Sequence, residues 1–392
     1  MQSPTCERAI SDALRYGNAL LKFISANDVG ETGGHQCGFY LPKSGWEMFT
    51  PYPPEKGRLD KHPVSIRWPD GRITDSVVTW YGRGTRSEYR LTRFGRDFPW
   101  LAGDCVGDLL VLIPATPSEF IAYVLDNDDD VIEIQAALGV ELIQTWGIFR
   151  DGVAQIDVED EDACLDRHFR VFTEQAETFP EGRRISAAAR DAIFNCIPSF
   201  VDSRLDDQLL RMVKEEYRLF RMVERKIYQP DWQRLFASLD DLINTAMKIL
   251  QARKSRAGRA LENHVEYVLR REEIPFEMRK DVDGTKPDVI IPSKAAYDDP
   301  EFPAEKLLMI GVKTTCKDRW RQVLSEADRV SSKHLITLEP GISEDQTSEM
   351  RSSKLQLVVP SPLHSSYSDS QRKWLWSLEN LTKKLLKNQA HS

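Results

Sequence analysis

The chain reads as a two-domain α/β protein, with a β-barrel-like first domain and a second domain of helices around a mixed sheet. Three observations predict this. Its 392 residues are more than one hydrophobic core usually serves. Residues 61–115 carry short runs of β-branched and aromatic residues, broken by Gly, Pro and Asp. After residue 182 the apolar spacing changes to three and four, the period of a helix. Hydrophobic residues at 41% and charged residues at 29% place the chain with globular proteins. No apolar run is long enough to span a membrane, and the N-terminus lacks the layout of a signal peptide. A cytoplasmic protein with no membrane partner is expected.

The elements follow in order. "KHPVSIRWPDG", "SVVTWYGRG", "EYRLTRFGR" and "DLLVLIPA" predict strands of a barrel or compact β fold. "SEFIAYVL" and "VIEIQAALG" predict helices that plug or flank it. Residues 155–182 hold nine acids against two basic residues. That stretch is either a hinge or the solvated face of one element. Taken as a hinge, it divides the chain into 1–160, an acidic linker 161–185, and 186–392. Beyond it, Leu209, Val213, Tyr217, Phe220, Val223 and Ile227 mark a helix. "ASLDDLINTAMKILQAR" predicts a second. A third is expected to start near Ala257 and bury Leu261, Val265, Val268 and Leu269. Strands are then predicted in "KPDVIIP", "KLLMIGVKTT", "HLITLE" and "KLQLVVP", with a helix in "RWRQVLSEADRV". The chain ends in an amphipathic helix whose stripe is Trp374, Leu378, Leu381 and Leu385. Helices around a few strands of mixed direction make an α/β domain.

The formal net charge of −8 counts mildly against nucleic-acid binding. A phosphate footprint is local, however, and the basic residues cluster. Arg83, Arg86, Arg90, Arg93 and Arg96 lie close together, and "RKSRAGR" follows near residue 253. The six cysteines are scattered with no CxxC pair, which fits a reducing compartment and argues against a zinc site or a disulfide framework.

Chemistry concentrates in the second domain. Asp288 leads into one predicted strand and Lys313 ends a later one. Phosphodiester hydrolysis needs a divalent cation held by carboxylates, an activated water, and positive charge on the developing phosphorane. Asp288 and Lys313 supply one metal ligand and one cation. No acid stands two residues before Lys313, where the chain has Gly311. The candidate second carboxylate is Glu326, thirteen residues on in the helix expected after the strand, and Glu262 in the upstream helix is a further candidate. By spacing alone the signal is weak, and a strand with a capped end and solvated charges is the favoured reading. Beside Lys313 come Lys317, Asp318 and Arg319. Cations donate to guanine O6 and N7 and a carboxylate accepts from cytosine N4, so the triplet suits G·C pairs; a surface ion-pair network is the alternative. Lys254, Arg256 and Arg259, expected at a helix start, suit DNA phosphates.

Four blocks, "KSRAGRALE" (254–262), "KPDVIIPSKAAYDDPEFP" (286–303), "VKTTCKDRWRQVLSEAD" (312–328) and "LVVPSPLH" (357–364), carry a resemblance to the EcoRII-type restriction endonucleases of the PD-(D/E)XK superfamily. In that family the second acid has moved from the strand to the following helix, which accounts for Gly311. The resemblance implies Asp288 and Glu326 as ligands of Mg²⁺, Lys313 as the catalytic lysine and Glu262 as an added active-site acid. It implies that Lys317, Asp318 and Arg319 read a CC…GG site. It also implies a homodimer that cuts double-stranded DNA before the first C and leaves 5′ overhangs. "QLLRMVKEEYRLF" resembles the segment lining a pocket for an extruded base, with Tyr217 at the aromatic position. Val213 stands where the family has an arginine, so Tyr217 is either a pocket residue or a core-facing helix residue.

In the first domain, "ISANDVGETGGHQCGFYLP" (24–42) and, more loosely, "YRLTRFGR" (89–96) resemble the N-terminal domain of the same enzymes. That domain is a B3-like DNA-binding barrel gripping DNA with two arms. The resemblance implies Ser25, Asn27, Thr32, His35 and Gln36 on one arm and Arg90, Arg93 and Arg96 on the other. In the family this domain binds a second DNA copy and releases the nuclease; the rival is that it reads flanking bases of the same duplex. The competing function class is a DNA-binding protein with a silent nuclease fold. A nicking or repair nuclease is disfavoured by the base-reading triplet.

Overall fold

The structure is a computed structural model that describes residues 3–32, 37–84, 87–142, 145–151, 162–233, 236 and 238–389. The chain divides into two compact units. One comprises 1–154 with 339–349 and 363–374; the other comprises 155–338, 350–362 and 375–392.

The first unit runs α1 Pro4–Tyr16, β1 Asn18–Phe23, α2 Ala26–Val29, β2 Phe39–Leu41, β3 Leu59–Arg67, β4 Ile73–Tyr81, β5 Glu88–Thr92, β6 Leu109–Thr116, β7 Glu119–Leu125, α3 Asp128–Leu138 and β8 Trp146–Arg150. Its eight strands form one sheet in the order β2-β5-β4-β3-β7-β6-β1-β8. Neighbours are antiparallel except β3 and β7. The β3–β4 hairpin closes where Trp68 N–H donates to Arg72 O, with Gly71 in the left-handed conformation that glycine tolerates.

Alternate residues of β1 and β6 enter two different cores. Leu20, Leu110 and Leu112 join an inner cluster rich in aromatics, including Phe39, Trp68, Trp80 and Phe94. Leu21, Leu109, Val111 and Ile113 pack on the other face with Ala9, Ala13, Val131 and Ile134 of α1 and α3. Burial on both faces explains why "DLLVLIPA" is a continuous apolar run. The expected helix in "SEFIAYVL" is instead strand β7. It pairs antiparallel with β6 across the tight turn at 117–118, and Phe120, Ile121, Tyr123 and Val124 are residues that favour a pleated surface. "VIEIQAALG" is helical, capped by Asn127 and ended by Gly139 in the left-handed conformation.

The second unit holds α4 Asp162–Gln175, α5 Gly182–Cys196, α6 Leu205–Gln233, α7 Leu239–Arg271, β9 Glu277–Met278, β10 Val289–Ile291, α8 Lys294–Asp298, β11 Leu308–Lys313, α9 Trp320–Leu324 and β12 Lys333–Thr337. β13 Leu355–Val358 and α12 Leu378–Gln389 complete this unit, whereas α11 Asp369–Arg372 and most of α10 Glu344–Ser352 lie in the segments grouped with the first unit. The sheet order is β13-β12-β11-β10-β9. β10 runs antiparallel to both β9 and β11, while β11, β12 and β13 are parallel to one another, which is the mixed sheet expected.

Several local expectations are corrected. The acidic stretch from Asp162 is helix α4, with Leu165 and Phe169 fully buried. Its last turn is held by Lys226, whose ammonium donates to the carbonyls of Thr173, Glu174 and Ala176 at 2.6–3.0 Å. A cation there satisfies carbonyls that the helix end leaves open. Cys164 of α4 and Cys196 of α5 form a disulfide, against the expectation of none. The partners lie 32 residues apart on packed helices, a pairing no local spacing announces. The two expected helices around residues 237–271 are one helix, α7, of 33 residues. No proline interrupts it, and its Asp240–Asp241 start and Arg270–Arg271 end complement the helix dipole. Trp374 lies outside α12, whose buried stripe is Leu378, Leu381 and Leu385. Residues 339–349 and 363–374, expected in the second domain, group with the first unit.

Candidate active site

The antiparallel register of Val289 with Ile310 brings Asp288, just before β10, beside the Lys313 end of β11. Asp288 is buried, and its Oδ2 accepts from Val312 N–H at 2.8 Å and Lys313 Nζ at 2.6 Å. A backbone donor and a side-chain cation therefore fix the carboxylate and the lysine together. The strand end is tied to α7 by Thr314 Oγ1, which donates to Ala257 O at 3.1 Å.

Helix α9 packs directly on β11. A Cβ on Gly311 would stand 2.8 Å from Val323 Cγ2, so no acid fits two residues before Lys313. Glu326, just past α9, supplies the second carboxylate. The following residue, Ala327, is fully buried in the left-handed conformation, and its N–H donates to Thr285 Oγ1 at 3.4 Å. Burial pushes the Glu326 carboxyl above the usual range, with the charge of Lys313 opposing and that of Asp288 reinforcing. Glu326 Oε2 is buried and has no hydrogen-bond partner among the described residues.

Glu262 lies on the buried side of α7 beside Leu261 and Val265. Burial also raises its carboxyl; a hydrogen bond from Arg279 opposes this and the charge of Asp288 adds to it. Arg279 Nη2 donates to Glu262 Oε1 at 2.5 Å, and its backbone N–H donates to Asp288 O at 3.1 Å. The sequence pattern does not single out Arg279. It stands in the left-handed conformation in the turn after β9, where "EMRKDVDG" reads as surface charge. Thus Asp288, Lys313, Glu326 and Glu262 come together as one cluster. Crowded hard oxygen donors, one of them an orphaned buried atom, fit a divalent cation of the magnesium kind.

Lys317, Asp318 and Arg319 form the turn between β11 and α9. Cys316 and Trp320, fully buried on either side, pin that turn close to Lys313. Lys254, Arg256 and Arg259 lie in the interior of α7, so the expected helix N-terminus and its open N–H groups are absent there. Lys254 is half-buried and Arg259 exposed, but Arg256 points inward. Its guanidinium lies 4.7 Å over the Tyr217 ring and 3.8 Å from Glu216. Tyr217 is half-buried on α6, whereas Val213 is a core residue. Arg256 thus gives Tyr217 a guanidinium neighbour from a different helix. Beneath them Glu216 meets His264 Nε2 at 2.8 Å, and Arg190 Nη1 lies 3.1 Å from His264 Nδ1.

In the first unit, Ser25 and Asn27 line a cavity of about 270 Å³ with Tyr40, Glu88 and Trp146. Asp28 anchors this loop. It is fully buried, pairs with Lys22, and accepts from Ser25 N–H at 2.8 Å and Tyr40 N–H at 2.7 Å. Thr32 Oγ1 donates to Asn27 Oδ1 at 2.9 Å. His35 and Gln36 lie outside the described residues. Arg90 is buried beneath Tyr40, with its guanidinium 4.2 Å from the ring centre. Arg93 has left-handed backbone and Arg96 is exposed. Among the described residues no helix is long and apolar enough to cross a membrane.

Comparison with known proteins adds to this geometry. The family described as "EcoRII C terminal" matches residues 220–382, and "Restriction endonuclease EcoRII, N-terminal" matches residues 15–142. The type II restriction enzyme EcoRII of Escherichia coli is 34% identical over 378 residues, covering 91% of each chain. Among solved structures, metal-depleted Ecl18kI in complex with uncleaved, modified DNA aligns at a TM-score of 0.45 and 16% identity. That alignment covers 57% of this chain and 84% of the other. The PspGI–substrate DNA complex aligns at 0.45 and 15% identity, covering 54% and 94%.

Proposed function

Because this chain belongs to the EcoRII-type restriction endonuclease family, we propose that it is a magnesium-dependent type II restriction endonuclease cutting double-stranded DNA at a CC…GG site in the cytoplasm. The observation that carries the reading is the buried carboxylate cluster: Asp288 held by Lys313 and Val312 N–H, with Glu326 Oε2 buried and unpartnered beside it.

Asp288 and Glu326 would hold the cation. When bound, that ion supplies Lewis-acid polarisation of the scissile phosphate and acidifies a water. The residues of the chain do the rest. Lys313, fixed through Asp288, keeps a positive charge where the pentavalent phosphate develops negative charge. Glu262, clamped by Arg279, adds an outer carboxylate that orients water. Lys317, Asp318 and Arg319 read the C and G bases, and a two-fold site is met by a homodimer. Cleavage falls before the first C and leaves 5′ overhangs. Tyr217 belongs to a pocket for the central base, with Arg256 lying over its ring as the guanidinium that Val213 cannot supply. Lys254 and Arg259 bind backbone phosphates. In the first unit Ser25, Asn27, Thr32, His35, Gln36, Arg93 and Arg96 grip a second DNA copy, and Arg90 stiffens the surface through Tyr40.

The test is digestion of a plasmid pool carrying a randomised target, with Mg²⁺ and with EDTA, and sequencing of every cut end. Magnesium-dependent ends at one CC…GG word with 5′ stagger are expected. A specific footprint without cutting would instead mark a binding protein with a silent nuclease fold.

A further inference from the structure

Outside the nuclease cluster, three side chains bring metal-ligand atoms together. The sulfurs of Cys164 and Cys196 and a ring nitrogen of His168 all lie within 4.8 Å of one another. Cys164 and His168 are four residues apart on α4 and so share one face of the helix. Cys196 comes from the last turn of α5, which packs against α4, and the two cysteine Cα atoms are 5.7 Å apart. Both sulfurs are half-buried, while His168 is exposed.

We propose that Cys164, His168 and Cys196 form a site for a borderline-soft divalent cation of the zinc class, open to the cation when the Cys164–Cys196 disulfide is reduced. Thiolate and imidazole donors select such ions over magnesium, whose preference is for hard oxygen. Tetrahedral zinc with bonds of about 2.3 Å to sulfur and 2.0 Å to nitrogen sets its ligands under 4 Å apart, within reach of small side-chain rotations here. Three protein ligands leave the fourth position to solvent, which the exposed face of His168 admits. In either state the start of α4 is fastened to the end of α5. A carboxylate cluster such as Asp288 with Glu326 cannot serve the same ion through sulfur, so the two sites are chemically distinct.

Reduction by a water-soluble phosphine balances as follows. The phosphine takes the oxygen of one water and becomes phosphine oxide. The S–S bond receives two electrons and the two protons of that water, giving two thiols. Each thiol then releases its proton to buffer as it binds the metal.

The experiment titrates the full chain with Co²⁺ alone, before and after phosphine reduction in chelator-treated buffer. The readout is the thiolate-to-cobalt charge-transfer band, which carboxylate sites cannot produce. One equivalent with that band is expected in the reduced protein only, displaced by Zn²⁺. Cys196→Ser should lose the band. His168→Ala should weaken Co²⁺ binding by about tenfold or more, since even outer-shell partners of a metal cost that much. Cys37→Ser, an exposed cysteine elsewhere, should change nothing. No band after reduction overturns the proposal, as does a band that survives both Cys196→Ser and His168→Ala. Should Cys196→Ser not fold, His168→Ala at its exposed position decides alone.

Discussion

At the scale of single residues, the candidate site is a balance between charge and burial. Lys313 and Asp288 satisfy one another at 2.6 Å, so removing the ammonium leaves the carboxylate held by Val312 N–H. Lys313→Ala should therefore cut cleavage by about 100- to 1,000-fold or more, the loss typical of one transition-state charge partner. Specific binding should stay within a few-fold; parallel nicking and gel-shift titrations check this, and lost binding would give the lysine another job. Glu326 behaves differently. Burial raises its carboxyl, and a group with a raised folded value contributes stability below its unfolded value and loses it as pH rises through the folded one. At neutral pH without a cation, Glu326 thus opposes folding. Glu326→Gln should raise Tm in EDTA at pH 7.5 while abolishing cleavage, and Mg²⁺ should raise the Tm of the parent more than that of the variant. A variant less stable than its parent in EDTA would overturn this balance. Asp288 and Lys313 were legible because each sits at the end of an apolar run, and the family resemblance nominated Glu326. Arg279 was not legible, since its contact with Glu262 comes from a left-handed turn residue that no periodicity marks.

At the scale of elements, close packing decides where an acid can stand. Val323 of α9 occupies the space above Gly311. Gly311→Asp, which restores an acid two residues before Lys313, should destabilise by about 1–3 kcal/mol through overpacking and leave cleavage no better. A denaturant melt with unchanged midpoint would refute that contact. Strand β12, between β11 and β13, carries a second constraint. His334 is buried there beside Trp376, and burial pushes its imidazole down to about 4. A depressed value means that the stability is whole above the unfolded value near 6.5 and is lost as pH falls toward 4. The wild type should lose about 3 kcal/mol across that window from this group. His334→Gln, which cannot take the proton, should show a flatter Tm profile between pH 6.5 and 4 even if it is less stable at pH 7. Parallel profiles would remove His334 as a cause. Elements α4, β7 and α7 show where sequence patterns mislead. A charge-rich stretch hides a buried Leu165–Phe169 stripe, an amphipathic run becomes a strand once β6 pairs with it, and a glycine at 258 does not stop a helix. In each the outcome is set by a partner remote in sequence or by the lack of a true breaker.

At the scale of the whole molecule, the net charge of −8 hides the arrangement that matters. Both units present candidate DNA groups: Lys317, Asp318 and Arg319 near the carboxylates in one, and Ser25 with Asn27 around a cavity in the other. The two-unit division was legible from the change in hydrophobic period, whereas the joining of 339–349 and 363–374 to the first unit was not. Those segments hold themselves by internal bonds, such as Tyr367 OH to Glu339 O at 2.6 Å and Gln371 Nε2 to Ile342 O at 2.7 Å, which no local pattern signals. A DNA site in each unit would make cleavage depend on how many target copies are present. If the first unit takes a second copy, a plasmid with two sites should be cut faster than one with a single site at equal site concentration. Adding a short duplex bearing the site should then accelerate cutting of the single-site plasmid. Substituting Asn27→Ala should abolish that acceleration without changing the basal rate, because Asn27 lies in the first unit and not in the carboxylate cluster. If the first unit only reads flanking bases of the same duplex, one-site and two-site plasmids will be cut equally fast. The added duplex will then act as a plain competitor, and Asn27→Ala will weaken cutting of both plasmids alike.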